Sequence, residues 1–260
     1  MLRQRIITAI MGIPIVVALL YIASIPLFFA VLLMFFLGGR ELIDIGNRAG
    51  LPMLELAVYT GGVLLITEAF FFQGTYASFF LFLAFMVLVL QWLFFNKNYH
   101  FSSLGVSFLG VIYLSFLKYI LLLRELPNGF MYVIIALLLT WIVDTGAYFS
   151  GRRFGKRKLA PAISPNKTQE GALGGLLTAV IAMLGIDYFI VSIGIMNSII
   201  LASSVALVGQ VGDLFESLLK RKAGIKDSGQ LLPGHGGMLD RLDSVLLTFP
   251  AFFYLIKKML

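Results

Sequence analysis

The sequence predicts an all-α polytopic membrane protein of about nine transmembrane helices, with the N-terminus cytosolic and the C-terminus outside. Three observations carry this. Of 260 residues, 60% are hydrophobic and 13% charged, where soluble domains run near about 25% charged, and mean hydropathy is +0.96. Apolar runs of about 20 residues, long enough to cross a hydrocarbon core about 30 Å thick, recur along the chain. A lipid core offers the backbone no water, so such runs satisfy their own amides and carbonyls as helices.

The runs place spans at 6 to 23, 25 to 39, 54 to 73, 76 to 95, 101 to 123, 129 to 150, 171 to 194, 197 to 218 and 242 to 257. The first two are short enough to form one hairpin. Residues 1 to 23 have the basic start and apolar run of a signal peptide but no small-x-small cleavage site, and are read as a retained first span. With nine spans, Lys and Arg fall almost entirely on the side of the N-terminus; Arg124, Lys257 and Lys258 stand opposite and Lys118 lies inside a span. The positive-inside rule then makes the N-terminus and both long basic loops cytosolic.

The net charge of +7 is a local cytosolic excess, which topology alone explains in part. It also suits anionic headgroups or a polyanionic soluble substrate. The chain has no cysteine, which excludes disulfides, thiolate metal sites and cysteine nucleophiles. Two histidines, His100 and His235, are too few for a zinc site of the usual kind. Any metal would be held by oxygen.

Residues 1 to 128 read as membrane scaffold and dimer surface. Glu55 and Glu68, near the ends of the third span, are expected to be structural, and Lys118 to snorkel or pair with a carboxylate. Residues 129 to 260 carry the chemistry, with basic cytosolic loops at 151–170 and 219–241.

Asp144 lies in an apolar run, with Thr140 and Tyr148 four residues to either side on one helix face. It is eight residues before Arg152, about 12 Å below the basic edge. The eighth span repeats the pattern: Gln210, Asp213, Ser217 and Lys220 share a face, and Gly209 and Gly212 allow a second helix close approach. Asp240 and Asp243, three apart, open the ninth span on a common face. Acids this deep are costly unless paired or bound to a cation. Asp144, Asp213, Asp240 and Asp243 read as a set suited to a hard cation such as Mg²⁺, held by one or two carboxylates plus substrate phosphates. The alternative is a set of salt bridges to Arg241, Lys220 and Arg221.

Two loops supply phosphate-binding chemistry. Ser164-Pro165-Asn166-Lys167-Thr168-Gln169-Glu170-Gly171 reads as a helix start, offering hydroxyls and free amides at a positive dipole end beside Lys167. Capping alone also accounts for Thr168. Gly234-His235-Gly236-Gly237 permits positive φ and close approach of amides to an anion, and His235 suits ligand contact or proton transfer. Gly151 to Arg157 is not a P-loop, having one residue too few between its glycines and no Ser/Thr for a metal. The second glycine cluster is not a dinucleotide fingerprint, because no strand precedes it.

The spacing of Ser217, Lys220, Arg221, Lys226, Asp227, Pro233, His235, Gly236, Gly237, Asp240, Arg241 and Asp243 resembles the signature of phosphatidate cytidylyltransferases, the CDP-diacylglycerol synthases. Asp144 to Phe149, Gly151 to Lys156 and Ser164 to Gly171 are similar to that family's other blocks. The resemblance covers residues 140 to 245. It departs at Asn166, where many members have lysine.

The resemblance implies CTP and phosphatidate as substrates, CDP-diacylglycerol and diphosphate as products, and Mg²⁺, with a second cation left open. It further implies a homodimer; with the multi-pass reading, the site is expected to face the cytosol from the inner (cytoplasmic) membrane, with no nucleic-acid partner. Asp213 and Asp240 are then the first choice as metal ligands, with Asp144 and Asp243 as ligands or their partners. Ser164, Lys167, Thr168, Ser217, Lys220, Arg221, Lys226, His235, Gly236, Gly237 and Arg241 are the substrate-binding candidates. A CTP-dependent lipid kinase and a transporter using intramembrane acids are the rivals; one-sided placement of the polar residues and lack of repeat symmetry weigh against transport.

Overall fold

The computed structural model describes residues 12, 14–94, 99–229 and 236–260. Part of the expected first span, the end of the fourth, and Pro233 and His235 of the signature, with Gly234 between them, therefore lie outside the described residues. After a helical stretch over 14–22, the elements are α1 (Ser24–Arg48), α2 (Glu55–Phe72), α3 (Ala77–Phe94), α4 (Phe101–Ser115), α5 (Lys118–Arg124) and α6 (Gly129–Phe154). There follow β1 (Lys158–Ala160), β2 (Ser164–Thr168), α7 (Gln169–Ile186), a wide turn (Asp187–Val191), α8 (Ile195–Lys222) and α9 (Leu239–Met259).

Among the described residues, seven helical segments are long and apolar enough to cross a membrane: α1, α2, α3, α4 with α5, α6, α7 with its wide turn, and α8. The multi-pass helical class is as expected, and the expected segments from 25 to 218 each have their helix. The fold is not purely helical. β1 and β2 form an antiparallel hairpin, pairing Lys158 with Thr168 and Ala160 with Ser164, because Pro161 and Pro165 cannot extend either flanking helix. The expected helix start survives at its end: Thr168 is the N-cap, its Oγ1 accepting from the Gly171 amide at 3.1 Å.

By packing, the chain divides into one unit of Met1–Phe130 with Leu219–Leu242 and another of Met131–Leu218 with Asp243–Leu260. In the first, α1, α2 and α4 pack through glycines. Gly61 faces Val111 and Ala84, Gly39 faces Tyr59, and the ring of Phe35 lies where a side chain on Gly62 would stand. Small residues let apolar helices close where no hydrophobic force drives them together in lipid. The opening amides of α2 are satisfied by side chains from other helices, Leu54 N donating to Ser107 Oγ at 2.7 Å and Ala57 N to Gln91 Oε1 at 2.6 Å. Arg124 Nε donates to Leu20 O at 2.8 Å, closing carbonyls at the end of the 14–22 helix.

In the second unit the same device is denser. Gly146 of α6 faces Thr178 of α7, Gly174 faces Ser150, and a Cβ on Gly175 would come within 2.7 Å of Val143 O and 3.1 Å of Ala147 Cβ. Gly212 of α8 lies against the Asp243 carbonyl and Gly209 against Thr248 of α9, as their spacing suggested. Gly175→Leu is expected to cost about 1–3 kcal/mol by overpacking, read as a lower thermal midpoint of the purified chain. Gly185→Leu, where nothing lies within 4 Å of the added carbon, serves as the control and is expected to leave the midpoint near its starting value.

Candidate active site

The polar chemistry of the second unit collects in one cavity of about 510 Å³, lined by Asp144, Gly151 and Arg152 from α6, Ser164, Asn166, Lys167 and Thr168 from β2, Gly171 and Ala172 from α7, and Gln210 and Asp213 from α8. Its shape follows from glycine. A Cβ on Gly151 would stand 3.0 Å from Thr168 Oγ1 and 3.5 Å from the Gly171 Cα, so the end of α6 and the start of α7 close to backbone distance. The hairpin carries Lys167 into the cavity between them.

Lys167 and Asp213 form an ion pair, each side chain part-exposed. Ser217 Oγ donates to Asp213 Oδ1 at 3.4 Å, one turn along α8. Gln210 Nε2 donates to Ala172 O at 3.2 Å, tying α8 to the first turn of α7. Glu170 accepts the amides of Lys156 and Arg157 at 3.0 and 3.1 Å, which anchors the basic loop. Asp213, Asp243 and Lys167 all act electrostatically on Asp144. Three carboxylates thus share this region with Lys167, an arrangement that favours an added cation.

Among the described residues, no three His, Cys, Asp or Glu side chains gather tightly enough to hold an ion alone. A Mg²⁺ site completed by substrate phosphates would draw one or two carboxylates from the protein. Asp144 and Asp213, lining one cavity, meet that requirement.

The first unit holds a second polar cluster. Asp240, in the first turn of α9, takes the Lys220 ammonium on Oδ1 at 2.6 Å and the amides of Ser228 and Gly237 on Oδ2 at 3.0 and 2.8 Å. Burial alone would raise the Asp240 carboxyl, but Lys220 and the two amides outweigh it and hold it below the usual carboxylate range. Gly236 has φ +81°, and a Cβ there would stand 2.6 Å from Asp240 Oδ2. Both reasons require glycine. Arg221 Nη1 donates to Ile225 O at 3.1 Å, while Lys226 and Arg241 are exposed.

Of the expected site residues, Asp144, Ser164, Lys167, Thr168 and Asp213 therefore line one cavity, Ser217 bonds Asp213, and Asp243 acts on Asp144. Lys220, Gly236, Gly237 and Asp240 form the cluster in the other unit. Glu216 and Glu41 are among the buried acids not singled out from the sequence. Glu216 is fully buried on α8, one turn after Asp213, and Glu41 is 8% exposed on α1. Both were open to the rule that singled out Asp144, which marks any carboxylate inside an apolar run.

A family model described as "Cytidylyltransferase family" matches residues 3–259. The chain belongs to the cytidylyltransferase family. It is thereby an enzyme, a nucleotidyltransferase. A family relative from Bacillus subtilis (strain 168), named phosphatidate cytidylyltransferase, is 31% identical over 274 residues, covering 98% of this chain and 97% of the relative. A Haemophilus influenzae protein of that name is 47% identical over 132 residues, 49% of this chain and 46% of its own length. One from Staphylococcus aureus (strain COL) is 42% identical over 153 residues, 58% and 56% of the two chains.

Proposed function

We propose that the chain transfers the cytidylyl group of CTP to phosphatidate, giving CDP-diacylglycerol and diphosphate. The observation that carries the reaction is the likeness to the B. subtilis phosphatidate cytidylyltransferase along nearly the whole of both chains. The cavity supports a site for it, since it combines carboxylates, a lysine and hydroxyls on the polar ends of membrane helices.

A phosphate oxygen of phosphatidate attacks the α-phosphorus of CTP; that bond forms as the bond from the α-phosphorus to the bridging oxygen breaks and diphosphate leaves. A phosphate monoester is already anionic at neutral pH, so no strong general base is required. Catalysis is then in-line positioning and neutralisation of charge. Lys167 exchanges its partner Asp213 for a phosphate oxygen. Ser164, Thr168 and Arg152 bind the remaining oxygens. Asp144 and Asp213 hold Mg²⁺, which supplies charge neutralisation for the phosphates when bound. Lys220 and Asp240 stay in this reading as the signature residues of the polar loop.

In this reading the site faces the cytosol, which the charge of the basic loops supports, so CTP enters from the cytosol while the acyl chains of phosphatidate remain in lipid. The reading includes a homodimer, which the family resemblance implies. Incubating the purified chain with CTP, phosphatidate and Mg²⁺ is expected to yield diphosphate and a CDP-lipid together. CDP with a phosphorylated lipid would identify a kinase instead, and solute flux into liposomes without nucleotide turnover a transporter.

A further inference from the structure

Glu41 lies in the half of the chain that carries none of the signature residues, yet its carboxylate is buried among them. It accepts the Ser228 hydroxyl at 2.7 Å and the amides of Met238 and Leu239, both at 2.8 Å. The Ser228 amide in turn donates to Asp240 Oδ2 at 3.0 Å, and the Asp240 amide lies 3.4 Å from the Ser228 hydroxyl. Asp240 then receives Lys220. A Cβ on Gly229 would come within 2.6 Å of Glu41 Oε1, and one on Gly237 within 2.5 Å of Oε2. The backbone is bare where the carboxylate enters.

We propose that Glu41 is a positioning residue for the reaction: it gathers Ser228 and the first turn of α9 so that Asp240 and Lys220 are held in one arrangement. The claim of an effect on catalysis rests on the cytidylyltransferase reading; the claim that Glu41 holds this loop does not. A scaffold residue would fill space. Glu41 instead supplies the acceptor for three donors withdrawn from water, and a buried donor left without an acceptor drives local rearrangement. Gln at this position keeps the volume but turns an amide group towards those donors. Asp keeps the acceptor pair and shortens the reach by one carbon.

The test compares Glu41→Gln, Glu41→Asp and Ser228→Ala in the purified full chain. It reads kcat and KM for CTP and phosphatidate, amide hydrogen exchange in peptides covering Ser228 and Met238 to Asp240, and thermal midpoint. Glu41→Gln is expected to lower kcat by about 10- to 100-fold, the range for losing a partner that orients a working group, with KM for CTP changing less. Exchange rises in those two peptides, and Glu41→Asp recovers more activity than Glu41→Gln despite its smaller volume. Ser228→Ala, which removes one donor and leaves α1 intact, gives a smaller loss with the same exchange pattern. It carries the test by itself should Glu41→Gln fail to fold. Gln performing as well as Asp, or unchanged exchange in both peptides, would overturn the proposal. If the unsubstituted chain makes no CDP-lipid, the reaction falls, and the exchange arm alone decides whether Glu41 holds the loop.

Discussion

Asp213→Asn is expected to reduce CDP-lipid formation by at least about 100-fold with the chain still folded, measured as turnover at saturating CTP, phosphatidate and Mg²⁺ beside a thermal melt. The substitution keeps shape and removes charge. Asp213 is the carboxylate that meets Lys167 and Ser217 in the cavity, and it acts with Asp243 on Asp144. Losing a residue that merely orients a metal ligand costs about 10- to 100-fold, so losing a ligand itself belongs at or beyond the top of that range. Titrating Mg²⁺ separates the causes: a ligand role moves the half-saturating Mg²⁺ concentration upward, whereas a role in packing leaves it fixed. Near-normal turnover in Asp213→Asn would remove the metal assignment.

Lys167→Gln is expected to lower kcat/KM for CTP by about 10- to 100-fold, chiefly through KM. A charge-assisted hydrogen bond contributes about 1.5–3 kcal/mol, and each 1.4 kcal/mol is about tenfold. The ammonium starts on Asp213, so the free enzyme also loses the cation that offsets its carboxylates, which raises the cost of bringing in a polyphosphate. Lys167→Arg keeps the charge but not the compact point geometry, and recovers part of the loss. A fall confined to kcat, with KM for CTP unchanged, would place Lys167 on the transferring group alone rather than on bound nucleotide.

How much was legible in the sequence differs between the two polar regions. In the cavity, helical spacing was enough to mark Asp144 and Asp213, because a carboxylate in an apolar run is visible without knowing its neighbours. The start of α7 was legible through Thr168, whose cap needs local sequence alone, whereas its close approach to Gly151 at the end of α6 was not. The hairpin was not, since Ser164 to Thr168 carries both a helix cap and a proline-bearing strand, and pairing with Lys158 decides between them. The cluster around Asp240 was legible only in composition. Gly236 and Gly237 suggested amides open to an anion, and in the fold the Gly237 amide serves Asp240. Glu41 could be flagged as an intramembrane acid, but its donors stand 187 to 198 residues away in the sequence, and no spacing rule reaches so far.

The central claim, cytidylyl transfer to a lipid phosphate, is tested most directly by following two labels in CTP. With purified chain, phosphatidate and Mg²⁺, the account predicts that label on the α-phosphate appears in lipid while label on the γ-phosphate appears in diphosphate, in equal amounts. Label from the γ-phosphate in lipid, with CDP released, would contradict it.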